Sequence, residues 1–174
     1  MRFSAEHRFA GTPAQVAAAL GDPDFYLTLD LPDLRLLEVH EVDRSAPSGG
    51  TEPVPGVTGA ETGLELRYEF TGALDPVALR LLGGTRPTWT QEVRLREDAG
   101  GRLRFAAEAN PRLLHGAAAF SLEREGEGTV RRLDGELVVA LPVVGGMAER
   151  RIVPGVLRRL DVEAEAVRER FSSS

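Results

Sequence analysis

Apolar and polar residues alternate with a period of two along most of this chain, and the pattern switches once, near the C-terminal end, to the three- and four-residue spacing of a helix. From Arg2 to Phe9, residues Phe3, Ala5, His7 and Phe9 share one face and Arg2, Ser4, Glu6 and Arg8 the other, which predicts a half-buried strand. A helix start follows: Thr12 can cap, Pro13 suits the first helical position, and Gln15 stands where a capping box needs it. That helix runs through Val16 and Leu20 to Gly21, where Asp22 and Pro23 begin another through Phe25, Tyr26, Leu27 and Leu29. Two short helices are therefore predicted between Pro13 and Asp30.

The period of two returns from about Leu34 to Arg44, then in Leu64 to Phe70, Trp89 to Arg96, Leu103 to Ala109, Ala118 to Leu122 and Leu133 to Leu141. Asp98-Ala99-Gly100-Gly101 and Glu125-Gly126-Glu127-Gly128 suit turns that need positive φ, so consecutive strands should pair as an antiparallel meander. Ser45 to Glu61 strings together Ser, Gly, Pro and Thr around only Val54 and Val57, too little apolar surface to offset ordering, and predicts a mobile loop. Beyond Gly146, the residues Val153, Val156, Leu157, Leu160, Ala164, Val167 and Phe171 form an apolar stripe. Arg158, Arg159, Asp161, Glu165, Arg168 and Glu169 take the opposite side of what should be a long amphipathic helix. Pro154-Gly155 inside it predicts a kink or short break, because proline removes a backbone hydrogen bond. Residues 1–171 read as one domain, with 172–174 a disordered tail.

Composition narrows the function classes. The 174 residues carry 21 basic side chains, all of them Arg, against 27 acidic ones, and the net charge of −6 would repel nucleic acid. Without cysteine there is no disulfide framework, thiol nucleophile or thiolate metal site. The longest apolar run, Leu137 to Met147, is interrupted by Pro142, Gly145 and Gly146, and the opening residues alternate where a signal peptide would be continuously apolar. The expectation is a soluble, cytoplasmic protein with no integral membrane segment. His7, His40 and His115 lack chelating spacing, and motifs for a catalytic serine, a zinc helix or a phosphate loop are missing. Gly126-Glu127-Gly128 opens a strand rather than a helix, so no dinucleotide site is expected. No metal, cofactor or catalytic residue is expected.

The order of elements, one strand, two short helices, six strands and a long helix, resembles the START-like (SRPBCC, helix-grip) superfamily over essentially the whole chain. The most specific piece is Pro142-Val143-Val144-Gly145-Gly146-Met147-Ala148-Glu149, similar to a Pro-x-x-Gly-Gly-x-x-Glu entry into the last helix of bacterial members. The opening strand, Thr12-Pro13, Asp22-Pro23-Asp24-Phe25-Tyr26 and Leu74-Asp75-Pro76 ahead of Leu79 to Gly83 resemble a bacterial family of unknown function within it. The resemblance implies an α+β fold in which a seven-stranded curved antiparallel sheet wraps a long C-terminal helix. It also implies a cavity between the two that takes lipids, polyketides or other apolar molecules, while some members of the superfamily are cyclases or other enzymes. Fold analogy leaves the function open.

Within that frame the candidate ligand-binding residues are His7, Tyr68, Trp89, Gln91, Phe105, Phe120, Glu149, Val156, Leu157 and Leu160. Strand residues Tyr68, Trp89, Phe105 and Phe120 should line a cavity opposite Val156, Leu157 and Leu160, and with aromatic residues at only 6% the interior is sparsely filled. His7, in phase with Phe3 and Phe9, is either a hydrogen-bonded core histidine or a polar fixture of the cavity. Gln91 and Tyr68 pose the same choice, and Trp89 is either core packing or a stacking surface. Glu149 projects onto the apolar stripe, where it can serve backbone N–H groups, a buried Arg or a ligand. Arg94, Arg96, Arg102, Arg104, Arg131 and Arg132, interspersed with Glu65, Glu69, Glu92 and Glu108, read as a solvated sheet surface. Three functions fit: a binding module for a small or medium apolar molecule, an enzyme of the cyclase, dehydratase or isomerase kind using His7, Tyr68 or Glu149, and an interaction domain whose groove is filled by its own side chains.

Overall fold

The computed structural model describes residues 1–42, 61–73, 85–96, 99–143 and 145–172. Strand β1 spans Arg2–Phe9 with Phe3, His7 and Phe9 buried, as its alternation requires. Helix α1, Pro13–Leu20, starts in a complete capping box: Thr12 Oγ1 accepts from Gln15 N–H, and Gln15 Oε1 accepts from Thr12 N–H at 2.8 Å. Helix α2, Pro23–Leu27, is capped by Asp22 and buries Phe25 and Tyr26.

The remaining strands are β2 (Leu34–Val42), β3 (Glu61–Phe70), β4 (Thr88–Arg96), β5 (Gly100–Ala107), β6 (Leu114–Glu125) and β7 (Gly128–Val139). They form one seven-stranded sheet in the order β1-β7-β6-β5-β4-β3-β2, each neighbouring pair antiparallel. The meander runs from β2 to β7, and β1 closes onto β7. The β6–β7 connection is a two-residue turn with Gly126 at φ 61°, a conformation that favours glycine. β5 stops at Ala107, so Ala109 lies beyond its strand, and β6 and β7 are longer than their cores of alternation predict.

The last helix, α3, spans Gly145–Ser172 continuously with Pro154 inside it, so of the kink or short break expected at Pro154-Gly155 the break is absent. The reason is position: Pro154 and Gly155 lie on the exposed side, as does Arg150, whose carbonyl loses its helical donor to the proline and can turn to water. α3 packs chiefly on β1 and β7 and carries Val153, Leu160, Ala164 and Val167 into the core beside Leu133 and Leu137. Glu61 opens β3 rather than ending a loop, while residues 45–60 of the predicted mobile segment, Leu74 to Gly83, and 173–174 lie outside the described residues. No helix among the described residues is long and apolar enough to cross a membrane.

Candidate functional site

Because α3 rides over β1 and β7, its two flanks meet different surroundings. On the β1 flank, Arg168 Nε donates to the Arg8 carbonyl at 3.0 Å and its guanidinium lies 5.9 Å from the Phe9 ring centre. The other flank, Ile152, Val156 and Arg159, is half-buried and turned toward β3 and β4.

Directly beneath the helix sits a buried ion pair. Arg131 of β7 and Glu163 of α3 meet at 2.5 Å, both almost wholly out of water. This overturns the expectation that Arg131 belongs to the solvated outer surface. Arg131 is in phase with Leu133 and Leu137, so the pleat turns it inward; desolvating two ions costs several kcal/mol each and is offset only by close mutual bonding. Arg131 Nη2 also donates to His7 Nδ1 at 3.2 Å and to the Leu160 carbonyl at 3.4 Å. A guanidinium can only donate, so His7 Nδ1 accepts and Nε2–H donates to Asp161 Oδ1 at 3.0 Å. Burial, and then the Arg131 charge, hold the His7 pKa below its ordinary 6.5, with Asp161 opposing them.

A second polar group lies on the opposite flank. Arg159 Nη2 donates to the Tyr68 hydroxyl at 3.0 Å, Nη1 donates to Gln91 Oε1, and the guanidinium lies 4.5 Å from the Tyr68 ring centre. Tyr68 stacks on its cross-strand neighbour Trp89 at 5.9 Å and 27°. Burial pushes the Tyr68 pKa up, against the pull of Arg159. A helical wheel assigns Arg159 to the solvent side; its flank instead meets the sheet, and the long side chain reaches inward.

Three aromatic rings reach over cross-strand glycines, where a Cβ would stand: Phe105 over Gly116, Phe120 over Gly101 and Phe3 over Gly135. Each ring thus occupies the place that the glycine's missing side chain leaves open. Trp89, Phe105 and Ala107 are half-buried, as are Val156 and Leu157, whereas Phe120 and Leu160 are buried. Glu149 stands apart, about 16 Å along the helix from Leu160 at the helical rise per residue. Its Oε1 accepts from Val139 N–H and its Oε2 from the Met1 amine, both at 3.0 Å. The structure thus brings Tyr68, Trp89 and Gln91 together under the helix, puts His7 in the neighbouring Arg131 network, and leaves Glu149 at the far end. Residue type alone places Arg131, Glu163 and Arg159 in solvent; the signal against this for the first two is their phase, since Arg131 alternates with Leu133 and Glu163 falls on the stripe between Leu160 and Val167.

An open depression of about 600 Å³ lies on the other face of the sheet, where the small Ala117 and Ala119 leave a gap among Arg2, Arg102, Arg104, Asp134 and Glu136. Its mixed charges are those of a hydrated surface. Among the described residues no cluster of His, Asp and Glu could hold a metal ion.

Comparison with known proteins gives the fold a context. The sequence pattern of the family described as "Protein of unknown function (DUF2505)" matches residues 37–170. No curated protein has a matching sequence. Among solved structures, the chain is similar to the protein TTHA0849 from Thermus thermophilus, with a TM-score of 0.59 and 17% identity over 100% of this chain and 99% of that one. It is similar to Ara h 8.0201, with a TM-score of 0.61 and 12% identity over 100% and 99% of the two chains. The Zhui aromatase/cyclase from Streptomyces sp. R1128 aligns with a TM-score of 0.57 and 13% identity over 98% and 95%. At these identities the likeness is one of fold, the helix grip.

Proposed function

We propose, from the premise that this chain belongs to the DUF2505 family of proteins of unknown function and has the helix-grip fold, that it holds a small or medium apolar molecule between α3 and the inner face of β3 to β5. The class is a lipid, polyketide or aromatic metabolite. The observation that carries the reading is the incomplete burial of Trp89, Phe105 and Ala107 on the sheet and of Ile152, Val156 and Leu157 on the helix, beside the buried core. Apolar side chains left half in water beside a core are what a ligand would cover. A ligand removing on the order of 300 Å² of apolar surface from water would gain roughly 7 kcal/mol before the cost of association.

A binding role needs no convergence of acid and base, and the three groups an enzyme of this fold would draw on are apart: His7 is engaged by Arg131 and Asp161, Tyr68 by Arg159, and Glu149 by Val139. That separation favours the container over the cyclase alternative.

Trp89 is the only tryptophan and supplies the test. Titration with hydrophobic probes such as 1-anilinonaphthalene-8-sulfonate should quench its fluorescence saturably. Ala107→Phe, which fills the space beside its cross-strand partner Trp89, should abolish that response while the fold persists. Saturation unchanged by Ala107→Phe, or no response from any probe, would count against the reading; native mass spectrometry of protein from its own host would reveal a retained ligand directly.

A further inference from the structure

Among the described residues Arg131 and Glu163 are buried in the interior, and Arg159 lies half-buried one turn before Glu163 on the same helix. Glu163 commits its charge to Arg131 at 2.5 Å, and Asp161, which faces His7, is 71% exposed to water. Arg159 is left with two neutral acceptors, Tyr68 and Gln91, both buried, and no carboxylate among the described residues pairs with it. Its Nε is buried without any hydrogen-bond partner. Arg131 and Glu163 neutralise one another, so the charge of half-buried Arg159, seated on Tyr68 and Gln91, has no carboxylate partner among the described residues. A buried N–H donor left without an acceptor is costly, and an acceptor that reached the Arg159 Nε–H would relieve that cost.

We infer that the molecule held beside α3 is an amphipathic acid, and that Arg159 takes its carboxylate. This rests on the binding role proposed above and specifies the chemistry of the ligand. A guanidinium fork matches a carboxylate geometrically, offering parallel N–H donors that include the Nε–H now without a partner. In the free protein the group is held on the Tyr68 hydroxyl and Gln91 Oε1 and against the Tyr68 ring, which orients it before the ligand comes. Tyr68 O–H and Gln91 Nε2–H are donors in their own right, so both residues can turn from accepting from Arg159 to donating to the incoming oxygens. The apolar body of the acid would then lie along Trp89, Phe105 and Val156. A fatty acid and an aromatic or polyketide acid share this chemistry, and chain length separates them.

The test compares cis-parinaric acid with its methyl ester at neutral pH, below micelle concentrations, by the fluorescence of the polyene. Wild type should bind the acid about ten-fold or more tighter than the ester. Arg159→Gln should bring the two within about two-fold, by weakening the acid and leaving the ester unchanged, and Arg159→Lys should retain part of the preference because it keeps the charge without the fork. Equal affinities in wild type, or a preference that survives Arg159→Gln, would overturn the assignment to Arg159 while leaving the container intact. Failure of both probes to bind would overturn both. Should Arg159→Gln not fold, as judged by circular dichroism, the wild type still decides: the carboxyl signal of bound ¹³C-labelled dodecanoic acid should titrate at lower pH than the free acid, and titration at or above the free value would refute the pairing.

Discussion

Arg131 and Glu163, 32 residues apart in the sequence, close a 2.5 Å ion pair between the inner face of β7 and the underside of α3, with side chains 1% and 4% exposed. The pair fastens the helix to the sheet at one angular setting, and that setting turns Arg159 toward Tyr68 and Gln91 rather than into solvent.

Breaking this pair from one side should be far worse than removing it whole. Glu163→Gln leaves a buried guanidinium unneutralised and should cost about 3–5 kcal/mol, lowering the melting temperature by roughly 10 °C or more. The double variant Arg131→Met with Glu163→Leu should recover most of that loss, because it removes both desolvation penalties. Urea denaturation of the three proteins checks this, and a double variant no better than the single one would refute it.

The buried His7 imposes a pH dependence of known sign. Its folded pKa lies below the 6.5 of a free imidazole, chiefly through burial and then through Arg131, so as pH falls below 6.5 the unfolded chain takes up a proton that the folded protein does not. Stability should therefore decline from pH 6.5 downward until the folded ring is protonated as well. Urea midpoints between pH 7.5 and 5.5 should drop in the wild type and flatten in His7→Gln, while Glu149 and Glu108, held below 4.5 by hydrogen bonds, contribute only at lower pH.

Gly116 has no side chain because the Phe105 ring occupies the place of one, with the Glu136 carbonyl 2.9 Å from where a Cβ would stand. Gly116→Ala should raise Phe105 off the sheet toward α3 and cost about 1–3 kcal/mol through overpacking. It should also narrow the proposed binding strip, so probe affinity should fall along with the melting temperature. Unchanged affinity in a folded variant would show that Phe105 does not line it.

Val143, ahead of α3, adopts φ 69° with its side chain fully exposed. A β-branched residue in the left-handed region is strained and gains nothing here from burial. Val143→Asn should stabilise the protein by about 1 kcal/mol, a rise of a few degrees in melting temperature measured by calorimetry. A fall would mean that the apolar side chain is covered in solution.

The elements and their faces are legible along the chain, because alternation and the three-four spacing are local consequences of backbone geometry. Phe3, His7 and Phe9 point inward as their phase requires, Thr12 and Gln15 form the capping box their spacing describes, and the late change of period marks α3. Glu149 took the option of a backbone N–H, but the donor is Val139 at the end of β7 rather than the first turn of its own helix. Which charges go inside depends instead on contacts between distant parts of the chain. An arginine on a strand is costly to bury, so residue type put Arg131 outward, and its phase with Leu133 could prevail only once Glu163 arrived from the far end of the chain. Pro154 reads as a break because its lost hydrogen bond is local, yet its cost depends on whether the orphaned carbonyl faces water. Arg159 lies on the polar side of any helical wheel. Whether that side meets solvent or the sheet depends on where the helix docks, and docking on β1 and β7 turned it toward Tyr68, Gln91 and the surface proposed to receive a ligand.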